Sequence, residues 1–287
     1  MIKDMKSYKK RRLIVISMLL ILSIVCIKSC VVSDKNKDKD DKNTSSVVSG
    51  PQKPENIGTP LPQVSETVTT IEEPVFSEKS ELNYLEASFS PEDISSVNTE
   101  YLKDMVIVGD SVSMGYSVYG RLDANNVLAT GSIGARNVME TQFSYQGYSL
   151  FLLDILERRK PKYIFMSLGL NDMNLMDEEK YTSLCEDNAE KIHEVTPDSK
   201  IIFTAITPIS AGNTFADNDK IDRYNEALRK KVYEIGSDKI FFVNAAQYLK
   251  NSNNCLESSF SSGDGIHLAA TAYDYLLSYM LLMLEWI

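Results

Sequence analysis

Val106-Ile107-Val108-Gly109-Asp110-Ser111-Val112-Ser113 is a β-branched run that stops at Gly-Asp-Ser, and the residues beyond it have helical composition. A continuous apolar run of this kind reads as a buried parallel strand. Ligands of open α/β sheets sit outside the carboxyl ends of the strands, so Ser111 stands where a nucleophile is useful. Asp and Ser also begin helices simply as caps, and the motif alone decides little. The fold is decided by repetition of the pattern. Apolar runs recur at 105–108, 126–129, 163–167, 200–205 and 239–243, and segments of helical spacing lie at 148–159, 178–195, 217–235 and 268–286. Alternating strands and helices imply βαβ units and a parallel sheet covered on both faces. The expectation is one α/β domain of three layers over 101–287, with about five strands.

The amino-terminal third has another character. Residues 1–12 hold six Lys/Arg against Asp4, a local charge of +5 in a chain whose formal charge is −10, so the remainder carries −15. An acidic chain lacks the basic face that nucleic acid requires, which excludes that partner. Residues 13–32 are mostly apolar, about one bilayer thickness as a helix. With the basic cluster before them they predict a single-pass signal anchor, the tail 1–12 cytoplasmic and the rest extracellular. A cleaved signal peptide or a lipoprotein box at Ile27-Lys28-Ser29-Cys30 is the alternative. Residues 33–100, rich in alternating charge and then in Pro, Ser and Thr, read as a disordered extracellular linker. Asp34, Asn36 and Asp38 imitate the start of a calcium loop, but Lys39 stands where Gly is required. Cys185 and Cys255 read as two small buried thiols rather than a disulfide framework.

The protein has only two His. In 178–195 the residues Tyr181, Leu184, Cys185, Ile192 and Val195 share one helical face. His193 falls off that stripe and reads as a solvated surface residue, which leaves imidazole chemistry to His267. In Gly263-Asp264-Gly265-Ile266-His267 the i, i+3 spacing lets Asp264 approach His267 within one tight turn. A carboxylate on one ring nitrogen fixes the tautomer and leaves the other as a base. Two further stretches lie at strand ends, 130–136 (Thr-Gly-Ser-Ile-Gly-Ala-Arg) and 168–172 (Leu-Gly-Leu-Asn-Asp). Gly permits close backbone approach and Asn171 carries a donor amide, both suited to a developing oxyanion. Each loop alone is equally an ordinary turn.

Together, Gly109-Asp110-Ser111, Gly134, Gly169-Leu170-Asn171-Asp172 and Asp264-Gly265-Ile266-His267 resemble the four blocks of the SGNH hydrolase (GDSL esterase/lipase) family, across about 102–284. The resemblance implies a flavodoxin-like α/β/α sandwich. It implies Ser111 as nucleophile, His267 as general base and Asp264 as its orienter. The oxyanion donors would be the Ser111 N–H, the Gly134 N–H and the Asn171 side chain, with Gly131 an alternative to Gly134. Asp110 and Asp172 match the blocks and are expected to hold loops. Arg136 is outside the motif and reads as a surface residue, or one that meets an anionic or sugar substrate. No metal or cofactor is expected, nor an obligate protein partner. The function expected is a membrane-tethered extracellular serine carboxyl-ester hydrolase, removing O-acyl (acetyl) groups from cell-surface glycans. A lipase or lysophospholipase, a glycan O-acyltransferase and a silent wall-binding scaffold are the alternatives.

Overall fold

All five apolar runs form strands of one parallel sheet. The computed structural model describes Tyr84–Leu85 and residues 97–287. The basic tail, the segment 13–32 read as an anchor and most of the stretch read as linker lie outside the described residues. Among the described residues no helix is long and apolar enough to cross a membrane. One strand in from the edge is β2 (Met105–Gly109), with every residue buried. It pairs with β3 (Val127–Ala129) on one side and β6 (Tyr163–Ser167) on the other, so that Ile107 stands opposite both Val127 and Phe165. Beyond β6 come β7 (Lys200–Thr204) and β8 (Ile240–Val243).

The sheet has six strands rather than about five. The sixth, β1 (Tyr84–Leu85), pairs parallel with β8 from inside the range read as linker. Two residues carry no periodicity, so composition alone marked them as spacer.

The crossovers explain the layers. The chain steps from β2 to β3 through α1 (Gly115–Val118), then crosses back to β6 through α2 (Leu152–Arg159). It continues in that direction through α3 (Glu178–Val195) to β7 and α4 (Asn218–Ile235) to β8. Right-handed crossovers in opposite directions put their helices on opposite faces. Accordingly α2, α3 and α4 form one touching row, while α1 packs against the last helix, α5 (Ala270–Met283). The strand order reverses beside β2, and such a switch point is where α/β sheets bind ligands.

Local chemistry sets the helix ends. Asp177 and Asp217 cap α3 and α4 by accepting the N–H groups of Lys180 and Lys220. Gly236, left-handed at φ 59°, closes α4. The expected helix at 148–159 holds only from Leu152. Its first residues are β5 (Tyr148–Phe151), paired antiparallel with β4 (Gln142–Tyr145). Gln146 and Gly147 both have positive φ, the two-residue turn that suits a hairpin.

Candidate active site

The sequence after β2 turns at once into a helical spiral, because Asp110 caps it. Its carboxylate accepts the Val112 N–H at 2.9 Å. The Met114 N–H reaches the Asp110 carbonyl at 3.3 Å. Gly109 makes that turn possible, since a Cβ there would meet the Ser113 hydroxyl at 2.0 Å. From its place beside α1, α5 sends the Tyr273 hydroxyl to the Val112 carbonyl at 2.6 Å. Ser111 is thereby held at the carboxyl end of β2, half-buried.

His267 arrives from 156 positions along the chain, with Nε2 at 2.9 Å from Ser111 Oγ. The Asp264 carboxylate lies 2.6 Å from His267 Nδ1. This carboxylate also accepts the Ile266 and His267 N–H groups, at 2.9 and 2.8 Å. With Nδ1–H donating to Asp264, Nε2 is left to accept the Ser111 hydroxyl proton. The Ile266 N–H foremost, then the His267 ring, hold the Asp264 carboxyl down at about 2. The turn itself is braced by the loop after β7, whose Ser210 N–H donates to the Gly265 carbonyl at 2.9 Å. Two asparagines of α4 clamp that loop. Asn225 bonds both backbone groups of Ile206, at 2.7 and 3.0 Å, and Asn218 both of Ile209, at 2.9 and 3.0 Å.

On the other side of Ser111 the loops after β3 and β6 interlock. Asn171 Nδ2 donates to the Ile133 carbonyl at 2.9 Å and lies 3.5 Å from Asp110 Oδ2. Asp172 is fully buried. It accepts the Ala135 N–H at 2.7 Å and Arg136 Nη1 at 2.8 Å. Gly134 presses on the same carboxylate so closely that a Cβ would come within 2.2 Å of it, whereas Gly131 faces open space. Of the two candidate glycines, Gly134 is the one the packing requires. Its N–H, however, donates to Asn137 Oδ1 at 2.9 Å, because the chain begins a turn there. An oxyanion would have to share or displace that partner. The described residues offer no hydrogen-bond acceptor to the Ser111 N–H. Asp110 is 4% exposed, and burial raises its carboxyl to about 6 against the pull of the Val112 N–H.

Several expectations need correction. Arg136, read as a surface residue, is half-buried, with its guanidinium bonded to Asp172 and to the Asn171 and Ser132 carbonyls. His193 is half-buried, with Nε2 donating to the Ser199 carbonyl at 3.1 Å, since the chain folds back just past α3. Cys185 is buried, but Cys255 is partly exposed on its polar loop. Sequence reasoning passed over Asn188, whose amide holds the Ala135 carbonyl at 2.8 Å, and Tyr273. A polar residue inside an apolar helical face was the one available signal for Asn188.

A serine hydroxyl on an imidazole that is itself on a carboxylate, at a sheet's switch point, defines the arrangement of a serine hydrolase. The chain belongs to the GDSL-like lipase/acylhydrolase family, whose sequence profile matches residues 107–275. It is a serine ester hydrolase of the SGNH type. Among curated proteins, none matches the sequence. Solved structures do. A candidate platelet activating factor from Streptococcus pneumonia is 16% identical, with a TM-score of 0.50 over 67% of this chain and 93% of that one. A candidate acylhydrolase from Bacteroides fragilis is 15% identical, with a TM-score of 0.50 over 68% and 93%. A GDSL-like lipase from Bacteroides thetaiotaomicron is 15% identical, with a TM-score of 0.49 over 68% and 94%. At such identities the likeness to the first two speaks for the fold alone.

Proposed function

We propose that Ser111, His267 and Asp264 hydrolyse a carboxyl ester through an acyl-enzyme. The observation that carries this reading is the unbroken chain from Ser111 Oγ to His267 Nε2 at 2.9 Å, and from Nδ1 to Asp264 at 2.6 Å. Ser111 Oγ attacks the ester carbon as its proton passes to His267 Nε2. The tetrahedral oxyanion is received by the Ser111 N–H, the Asn171 amide and the Gly134 N–H once Asn137 yields it. The carbon–oxygen bond to the leaving alcohol breaks, and Nε2 returns the proton to that alcohol. Water then attacks the acyl carbon, giving its proton to Nε2, and Ser111 leaves with it as the acid is released. Ser111→Ala should abolish ester turnover in a protein that remains folded. Turnover retained in that variant overturns the assignment.

For the substrate, the reading is an O-acyl group, acetyl in the simplest case, on a cell-surface glycan. Its support is the basic tail, apolar segment and polar spacer ahead of the domain, which read as a single-pass anchor holding the enzyme outside the cell. One observation favours lipid esters instead. Met114, Val118, Leu175 and Phe215 are all exposed in the segments after β2, β6 and β7, the end of the sheet that bears Ser111. Exposed apolar groups around a site suit an apolar acyl chain. Acetate release from wall polysaccharide, measured against release of longer acids from phospholipid, decides between the two.

A further inference from the structure

Arg136 has no part in the acyl-transfer steps, yet its guanidinium is bonded to both loops beside the site. Its Nη1 donates to Asp172 Oδ1 at 2.8 Å and to the Asn171 carbonyl at 2.9 Å. Its Nη2 donates to the Ser132 carbonyl at 3.2 Å. Ser132 belongs to the loop that carries Gly134, and Asn171 carries the amide that lies 3.5 Å from Asp110, the neighbour of Ser111 in sequence. One planar group therefore spans both loops. The Asn171 amide in turn grips the Ile133 carbonyl at 2.9 Å. The two contacts brace each other from opposite ends, with the buried Asp172 between them.

We propose that Arg136 is a positioning residue for the oxyanion donors. Its guanidinium fork fixes the loop after β3 against the loop after β6, so that Asn171 faces the reacting carbonyl. This rests on the reading of Asn171 as an oxyanion donor. The fork matters as much as the charge. Lysine presents one compact ammonium, which can neutralise Asp172 but cannot also reach both carbonyls in the guanidinium plane. Misplacing a donor by a fraction of an ångström or more weakens stabilisation that exists only in the transition state.

The test uses the full chain with p-nitrophenyl acetate as the probe, and Arg136→Lys, Arg136→Met and Ser111→Ala side by side. Arg136→Lys should keep the thermal midpoint within a few degrees while kcat falls roughly tenfold and KM changes less than about twofold. Arg136→Met should lose more kcat and also stability, because it strands the Asp172 charge. If Arg136→Lys has wild-type kcat, the residue is a structural counter-ion and the proposal fails. A kcat loss in Arg136→Lys that comes with a collapsed midpoint overturns it equally. Turnover that survives Ser111→Ala overturns the site assignment itself, which the Arg136 variants alone do not touch.

Discussion

The two sides of Ser111 are built on different principles. The side proposed to move the proton is at the surface. The Asp264 and His267 side chains are 53% and 41% exposed, three residues apart in one turn. The side proposed to receive the oxyanion is set in the interior, around a carboxylate with no exposure at all, and the bonds between its two loops join residues 35 to 38 positions apart. A base must meet water and substrate and release a proton, so exposure serves it. Donors that stabilise a fleeting charge must be fixed beforehand, and rigidity in a low-dielectric setting serves them. Local sequence suffices for the first side. The second needs the whole sheet.

Substitutions on each side should therefore fail in different ways. The largest effect belongs to the residues shared by every step: Ser111→Ala or His267→Ala should lower kcat by roughly 10⁴–10⁶-fold without loss of the folded state by circular dichroism. Next, Asn171→Ala should cost about 10²–10³ in kcat with KM little changed, as for one oxyanion donor. A rise in KM alone would move Asn171 from transition-state stabilisation to ground-state binding. Third, Asp172→Ala should destabilise the fold by about 3 kcal/mol in denaturant titration, because it leaves the Arg136 charge and the Ala135 N–H without their partner. The exposed Asp264→Ala should cost far less stability in the same titration. If the two lose equally, the contrast between buried and exposed sides is wrong.

The smallest effect is on pH dependence. Burial raises Asp110 to about 6 in the folded protein, above its value of about 4 in an unfolded chain. The folded state therefore binds this proton more tightly, and stability from Asp110 is greatest below pH 4 and lost as pH rises to 6. The stability of the native protein relative to Asp110→Asn should shrink across that window, by on the order of 2 kcal/mol. Asp264 has the opposite sign. Its carboxyl, held at about 2, contributes above pH 4 and loses that contribution only as pH falls toward 2. A gap for Asp110→Asn that is flat from pH 4 to 6 would contradict the burial account.

The same contrast explains what was legible in the sequence. The strands at 105–109, 163–167 and 200–204 are apolar on both faces, a signal that no neighbour can disguise. The Asp264–His267 pair could be read because three residues in one turn are close whatever the rest of the chain does. Arg136 could not, because its meaning depends on Asp172, a partner 36 positions away across a hairpin and a crossover. An arginine in a polar loop looks the same whether it faces water or a buried carboxylate. The hairpin at 142–151 was missed for a different reason: the turn at Gln146-Gly147 is a matter of two φ angles, while the residues after it also have helical composition. The strand at Tyr84–Leu85 owes its place to β8 rather than to any pattern of its own.

On the proposed mechanism the Ser111 hydroxyl is activated by His267, whose Nε2 lies 2.9 Å from it. A fluorophosphonate probe tests it most directly, with the adduct located by peptide mapping. A single adduct on Ser111 is predicted, with labelling abolished by Ser111→Ala and strongly slowed by His267→Ala. An adduct on another residue, or labelling of Ser111 at an undiminished rate without His267, would contradict it.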